Sequence, residues 1–326
     1  MGWDLVARRV TSGRVHEPVT VAEVMSLASP APGDFTVETM VGAGGHATEF
    51  LRRTGPEGRL LGIDRDPAIL EVARRALAPF GERAVLVEAE SEALRGALVR
   101  SGFGAPSIVF MDLGVSSLQL DDARRGFSFS KVGPLDMRMG RQSVTASEWL
   151  SAVSAEEMER VFRAYGDEPF ARRIASAVSE RARRTPFRTT EELAGFVADL
   201  VPRRLRGRSP VHPAPRVFQA IRIAVNDELG LLERTLPQAY DVLAPGGRLV
   251  VIAFHSGEDR IVKEFMRGLH KSGIGTRLNK KPLKASDEEV ARNPRARSAC
   301  VRGILKAPPP VRRKSWEVDD AEEDDA

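Results

Sequence analysis

A single cysteine, Cys300, stands in 326 residues. No intramolecular disulfide can form from it and no cysteine-based zinc site can be built, both of which suit a reducing cytosol. Long apolar runs are missing too. The longest, such as Leu249-Val-Val-Ile-Ala-Phe254, have the length of a strand and fall well short of the roughly 20 residues that a membrane helix needs. The first ten residues lack the charged-then-apolar layout of a secretory signal, so a cytoplasmic location with no membrane partner is expected. No internal repeat is present. What remains, 42% hydrophobic and 29% charged residues, is the makeup of a globular chain long enough for one large domain and a smaller one.

The net charge of +4 conceals an asymmetry. Seven of the 45 acids fall in Glu317–Ala326, where there is no base, so residues 1–316 carry 49 bases against 38 acids, or +11. An acidic block of this kind repels itself, and 311–326 is expected to be a disordered tail. Between Phe170 and Pro210 ten arginines face four acids. Arg181, Arg183, Arg184, Arg203 and Arg204 in this stretch are candidates for holding a phosphate backbone, the alternative being a solvated helical face.

Short β-rich runs alternate with helical stretches through the first 115 residues: Phe35–Val41, Arg59–Ile63, Ala84–Val87 and Ser107–Met111. That alternation predicts a parallel sheet with crossover helices. From Asp121 to about Pro210 the chain reads as helical instead, with capping boxes at Ser154-Ala-Glu-Glu157 and Thr189-Thr-Glu-Glu192. Apolar residues three and four apart follow each box: Met158, Val161, Phe162 and Tyr165, then Leu193, Phe196, Val197 and Leu200. A helix over Arg216–Leu243 and a strand over Arg248–Phe254 then resume the α/β pattern, and that strand is expected beside Ser107–Met111. Lys271–Pro310 reads as irregular or hairpin-forming before a run at Ser298–Leu305. The organisation is therefore an α/β core from 1–120 and 211–310, interrupted by a helical, arginine-rich unit over 121–210.

The richest segment is Phe35-Thr-Val-Glu-Thr-Met-Val-Gly-Ala-Gly-Gly-His46, followed by Arg59-Leu-Leu-Gly-Ile-Asp64. It reads as strand, glycine loop, helix and a second strand ending on a carboxylate. Gly42, Gly44 and Gly45 permit a tight turn and a close approach of backbone to ligand. Asp64, about twenty residues on, is placed to accept from ribose hydroxyls. Glu38 and Asp64, with no basic residue between Val37 and His46, suit a cationic or neutral cofactor better than a pyrophosphate and lean toward S-adenosyl-L-methionine. A dinucleotide and a purely structural turn are the alternatives.

Polar residues break out at two more strand ends. Ser107-Ile-Val-Phe-Met-Asp112 turns polar at Asp112, which should meet Glu38 and Asp64 in one crevice beyond the carboxyl ends of the strands, unless it only caps the next turn. Val251-Ile-Ala-Phe-His255-Ser256 offers a histidine that is a base, an orienting group or a structural one. Phe127 and Phe129 are either a stacking face or core.

Taken in order, Gly44-Gly-His46, Gly62-Ile-Asp-Arg-Asp-Pro67, Asp112-Leu-Gly-Val-Ser-Ser117, Gln119-Leu-Asp121, Arg125-Gly-Phe-Ser-Phe129, Gly133-Pro-Leu-Asp-Met-Arg-Met139, Phe218-Gln219, Asn226-Asp-Glu-Leu229, Phe254-His-Ser256 and Asn293-Pro-Arg295 resemble the bacterial ribosomal RNA small-subunit methyltransferase H family, also called MraW, over about residues 16–305. The resemblance implies a Rossmann-like class I S-adenosylmethionine-dependent methyltransferase core with an inserted helical domain. It also implies methylation of the exocyclic N4 of a cytidine in the decoding centre of 16S ribosomal RNA. Cofactor contacts carry over to Gly44, Gly45, His46, Asp64, Asp112 and Gln119. A further contact, usually aromatic in the family, aligns with Ser91, and a serine cannot stack on adenine. Glu38 in place of an aspartate, Thr39-Met40, Ala214-Pro215-Arg216 and Gly257 in place of a leucine also depart from the family pattern. For such a reaction Asp112 is the expected acceptor of the amino proton, with Asn226, His255 and Ser256 gripping the base. The partner would be 16S ribosomal RNA or the small ribosomal subunit, with a homodimer left open and no metal required. Two other classes compete: a divergent methyltransferase-like RNA-binding protein of altered substrate or weak activity, and an NAD-dependent oxidoreductase.

Overall fold

The computed structural model describes residues 17–141, 144–201 and 214–308. Arg203, Arg204 and the acidic tail expected over 311–326 lie outside those residues. A seven-stranded sheet organises the chain: β1 (Phe35–Glu38), β2 (Arg59–Asp64), β3 (Ala84–Glu88), β4 (Ile108–Asp112), β5 (Arg248–Ala253), β6 (Gly275–Arg277) and β7 (Cys300–Lys306), in the order β3-β2-β1-β4-β5-β7-β6. β1 to β5 run parallel, and β7 is antiparallel to both of its neighbours. Parallel strands covered on both faces need continuous apolar runs, which is why all of β1 and four residues of β4 are buried. The order reverses between β1 and β4, and ligands of open α/β sheets bind at that switch point.

Helices α1 (Val21–Ala28), α2 (Gly45–Arg53) and α3 (Pro67–Leu77) cover one face, and α4 (Leu94–Ser101) the other. A short α5 (Ser117–Asp121) leaves β4 with a capping box of Ser116 and Gln119. The helical unit follows: α6 (Ala146–Ala152), α7 (Ala155–Gly166), α8 (Ala171–Arg184) and α9 (Thr190–Leu200). Both expected capping hydroxyls sit at helix starts, Ser154 accepting from the Glu157 N–H and Thr189 from that of Glu192. Met158, Val161, Phe162, Leu193 and Val197 are buried in this unit's own core.

The helix expected over Arg216–Leu243 is two helices, α10 (Ala214–Asn226) and α11 (Glu228–Asp241), because Asp227 takes a left-handed conformation (φ 48°) between them. α10 buries Ala214, Val217, Phe218 and Ile221 in the core of the helical unit, whereas Leu232 and Leu236 of α11 pack under the sheet. Helix α12 (Ser256–Lys271) follows β5, and α13 (Asp287–Arg292) precedes β7. The third strand of the antiparallel edge, β6, lies inside the stretch expected to be irregular or hairpin-forming, and its antiparallel pairing with β7 is the hairpin form. Among the described residues no helix is long and apolar enough to cross a membrane.

Candidate active site

The carboxyl ends of β1, β2, β3, β4 and β5 open on one cavity of about 380 Å³, in the range of small-molecule sites. The glycine loop forms its floor. Gly44 (φ +84°) is the N-cap of α2, a conformation in which a Cβ is strained. Its bare side faces Ala73 and Leu77 of α3, so this glycine serves packing; it does not line the cavity. A Cβ on Gly45 would meet Pro18 at 3.1 Å, and Gly42 donates its N–H to Asp64 Oδ2 at 3.0 Å.

Asp64 lines the cavity and accepts from two backbone N–H groups, Gly42 on one oxygen and Asp66 on the other (3.0 Å). Each oxygen keeps a lone pair for a ligand hydroxyl. Burial pushes its pKa up to about 6 in spite of those N–H bonds. An acid raised in the fold contributes stability below its unfolded pKa of about 4, and that contribution is lost as pH rises through 6. Ligand hydroxyls, in contrast, prefer the carboxylate. Affinity for an S-adenosylmethionine analogue is therefore expected to be flat above pH 6 and to weaken by up to about tenfold per unit below it, as measured by calorimetry. A pH-independent Kd between 5 and 7 would remove Asp64 from the ligand contact.

Glu38 departs from its expected place. Its carboxyl is buried at the end of β1 and does not line the cavity, and Oε2 has no hydrogen-bond partner. Burial, then the charges of Asp112 and Asp64, raise it well above the ordinary carboxylate range. Burial thus disfavours its charged form, whereas Asp64 and Asp112 line the cavity themselves. Asp112 lines the cavity, with Oδ1 buried and unpartnered and Oδ2 3.4 Å from His46 Nδ1. His46 is buried, and its Nε2 lies 2.9 Å from the Val19 carbonyl.

Gln119 also reaches the cavity, yet its amide is occupied: Oε1 accepts from the Ser116 N–H and Nε2 donates to Asp66 Oδ2 at 2.8 Å, where Arg125 also pairs. Ser91 lines the cavity with its hydroxyl 2.9 Å from that of Thr235. Ile69, Ala89 and Met139 give this end an apolar lining, which can cover an adenine in place of an aromatic ring. The side chains present thus fit a nucleoside-bearing cation: hydroxyl acceptors on Asp64, apolar cover near Ser91 and an uncompensated carboxylate oxygen on Asp112.

The opposite wall combines α10, α11 and the start of α12. Arg222 and Glu228 form a bidentate pair at 2.8 Å for both contacts, and both line the cavity. Burial would lower Arg222, but Glu228 and Glu258 raise it above its ordinary value, so it stays charged. His255 lines the cavity as N-cap of α12: Nδ1 accepts from the Glu258 N–H at 3.4 Å, and the buried Nε2 has no hydrogen-bond partner, lying 3.3 Å from Glu258 Oε1 out of alignment. A Cβ on Gly257 would meet this ring at 3.2 Å, so the glycine gives His255 its room. Burial raises the Glu258 carboxyl, but the His255 ring, the Phe254 N–H and Arg222 more than offset it.

Two expected base contacts lie elsewhere. Asn226 is buried outside the cavity lining: Oδ1 accepts from the Met139 N–H (2.8 Å), and Nδ2 donates to the carbonyls of Met137 (2.7 Å) and Arg222 (2.9 Å). Ser256 points away, donating to Asp167 Oδ2 at 3.3 Å. Phe127 is core, while Phe129 is 37% exposed at the edge of Phe218. Arg65, to which the sequence assigns no role, lines the cavity, donates to the Asn226 carbonyl (3.0 Å) and pairs with Glu90 (3.3 Å). Arg222, Glu228 and Glu258 join it there without having been expected. Arg65 and Glu228 sit inside motifs already singled out; Arg222 carries no local signal.

The basic face of α8 is not uniform. Arg181 stacks over Phe187 (4.9 Å) and donates to the Thr185 carbonyl, and Arg184 pairs with Glu180 at 3.0 Å. Arg183 is exposed. Arg172 and Arg173, also exposed, border a shallow groove with Pro169, Phe170 and Ser176 and have no ion-pair partner among the described residues.

A model of the MraW methylase family matches residues 13–307. The chain is 45% identical over 307 residues to a ribosomal RNA small subunit methyltransferase H from Symbiobacterium thermophilum, covering 89% of this chain and 96% of that protein. It is 47% identical over 300 residues to the protein of the same name from Methylococcus capsulatus, covering 88% and 99%.

Proposed function

The chain belongs to the MraW methylase family, and on that premise we propose that it uses S-adenosylmethionine to methylate the exocyclic N4 of a cytidine in the decoding centre of 16S ribosomal RNA. The observation that carries the reading is the meeting of Asp64, Asp112 and His46 in one cavity at the switch point of the sheet. The cofactor, when bound, supplies an electrophilic methyl on a cationic sulfur. Asp64 would hold the ribose, with the apolar end near Ser91 covering the adenine. Asp112 would accept an N–H of the cytosine amino group and aim its nitrogen at the methyl carbon.

A cytosine amino group delocalises its lone pair into the ring, so the base must leave its stack to be reoriented. The Arg222–Glu228 pair and His255 form a polar wall on which its edge would rest. The core over 1–120 and 211–310, apart from α10, would serve the cofactor, and the helical unit over 121–210 together with α10, which packs in its core, would serve the RNA. A cytoplasmic location follows from that substrate, and a homodimer is compatible with it. The oxidoreductase alternative is set aside by membership of a methylase family. The RNA-binding alternative rests on Ser91, whose hydroxyl is turned to Thr235, and on Gly257, which leaves room for the His255 ring.

Mass spectrometry of ribosomal RNA nucleosides from cells with and without the protein tests the proposal. N4-methylated cytidine is expected only in its presence; equal levels would leave the RNA-binding reading standing. Phosphates would be held by cations without acid partners. Reversing Arg172 and Arg173 to glutamate together should weaken RNA binding severalfold and shrink the slope of log K against log salt by about 1.4, from two lost single-strand contacts. Reversing Arg184 should change either quantity much less. An unaltered salt slope in the double variant would make this face a solvated surface.

A further inference from the structure

We propose that His46 takes up the proton displaced by methyl transfer, receiving it through Asp112; the inference rests on the methyltransferase reading above. His46 is buried near the start of α2 with Nε2 2.9 Å from the Val19 carbonyl. A carbonyl can only accept, so Nε2 carries the hydrogen and the lone pair of the neutral ring is on Nδ1. That atom faces Asp112 Oδ2 at 3.4 Å. Two lone pairs confront each other there, and one proton between them turns the repulsion into a charge-assisted hydrogen bond. The Phe110 ring, 4.8 Å from the imidazole, holds its plane.

The surrounding charges favour a cation at this spot. Asp64 lines the same cavity as Asp112, while the arginines that line the cavity are paired elsewhere: Arg65 with Glu90, Arg222 with Glu228 and Arg295 with Asp121. In the reaction the cytosine nitrogen forms its bond to the methyl carbon as the carbon–sulfur bond breaks and its electron pair goes to sulfur. The nitrogen, briefly cationic, loses one proton to Asp112 and through it to Nδ1. The methylated amine leaves neutral, Asp112 is again a carboxylate, and the positive charge that entered on sulfur ends on a buried imidazolium. His46 is a positioning residue in this scheme, since it acts through Asp112.

Nitrogen-15 spectra of the histidine rings in the full-length protein, assigned with His46→Gln, test the pair without any turnover. The expected result is a ring with its hydrogen on Nε2 and an Nδ1 resonance that moves in Asp112→Asn. A hydrogen on Nδ1 in place of Nε2, or an Nδ1 resonance that ignores Asp112→Asn, overturns the relay alone. In a second arm, His46→Gln keeps an N–H for the Val19 carbonyl but has no site for the proton. At saturating donor its single-turnover rate should be about 10- to 100-fold lower, and the acid limb of its pH profile should move down in pH. An unchanged rate, or a lower rate with the limb in place, also overturns the relay. Absence of methyl transfer by the wild-type protein overturns the methyltransferase reading and the relay with it.

Discussion

Asp112→Asn is expected to lower the single-turnover rate of methyl transfer by about a thousandfold at saturating donor, at the middle of the range for a positioned proton acceptor. The carboxylate sits at the end of β4 with Oδ1 buried and unpartnered and Oδ2 toward His46. An asparagine keeps its shape but can take up no proton, and its amide hydrogens would face the incoming amino group. The reaction would then lose both the alignment of the nitrogen and the exit for its proton. Because Asp112 makes no hydrogen bond that the fold depends on, the thermal midpoint should move by only a few degrees. Asp64 acts on a different quantity: Asp64→Ala should raise the donor Kd by at least tenfold, with a smaller loss of rate at saturation. Rapid-quench turnover with a ribosomal RNA fragment separates the two variants, and normal turnover by Asp112→Asn would refute its assigned role.

Asn226→Ala is the substitution expected to cost the most stability, about 3 kcal/mol. One amide satisfies three buried backbone groups at once, the N–H of Met139 and the carbonyls of Met137 and Arg222. Leaving a buried polar group without a partner costs about 1–3 kcal/mol. Met137 itself sits at φ 60°, a conformation that a non-glycine residue keeps only when its surroundings hold it there. The segment so held ends at Met139, whose sulfur accepts from Arg65, and Arg65 follows the Asp64 that lines the cavity. Asn226 therefore braces the segment that ends at Met139 beside the cavity. Urea unfolding should show the loss as a lower midpoint at constant slope. A variant as stable as the wild type would mean that the three groups find other partners.

Part of this structure is legible along the chain. The alternation of short apolar runs with helical stretches predicts the five parallel strands to within a few residues, because both faces of each strand are covered and local composition must comply. Strand ends that turn polar at Asp64, Asp112 and His255 locate the crevice before its walls are known. The Ser154 and Thr189 caps were readable because a helix start needs its acceptor within three residues.

Other roles depend on distant neighbours. Arg181 is a candidate phosphate ligand by composition, and only the position of Phe187 and the Thr185 carbonyl turns it inward. Asn226 falls in a motif that suggests a grip on substrate, but the segment that occupies its amide lies nearly ninety residues earlier. Glu38 reads as a negative charge, yet burial at the end of a central strand disfavours its charged form. Arg222 and Glu228 meet only because the chain breaks helix at Asp227.

By itself, then, the sequence determined the five parallel strands and most of the helices, where the glycine turn falls and that carboxylates end the central strands, since period, capping and backbone freedom act over a few residues. Tertiary structure alone decided which of those carboxyls burial raises, which polar groups already have partners and which face the cavity. Desolvation and hydrogen-bond geometry are set by whatever packs around a group, and that packing comes from elements far apart in the chain.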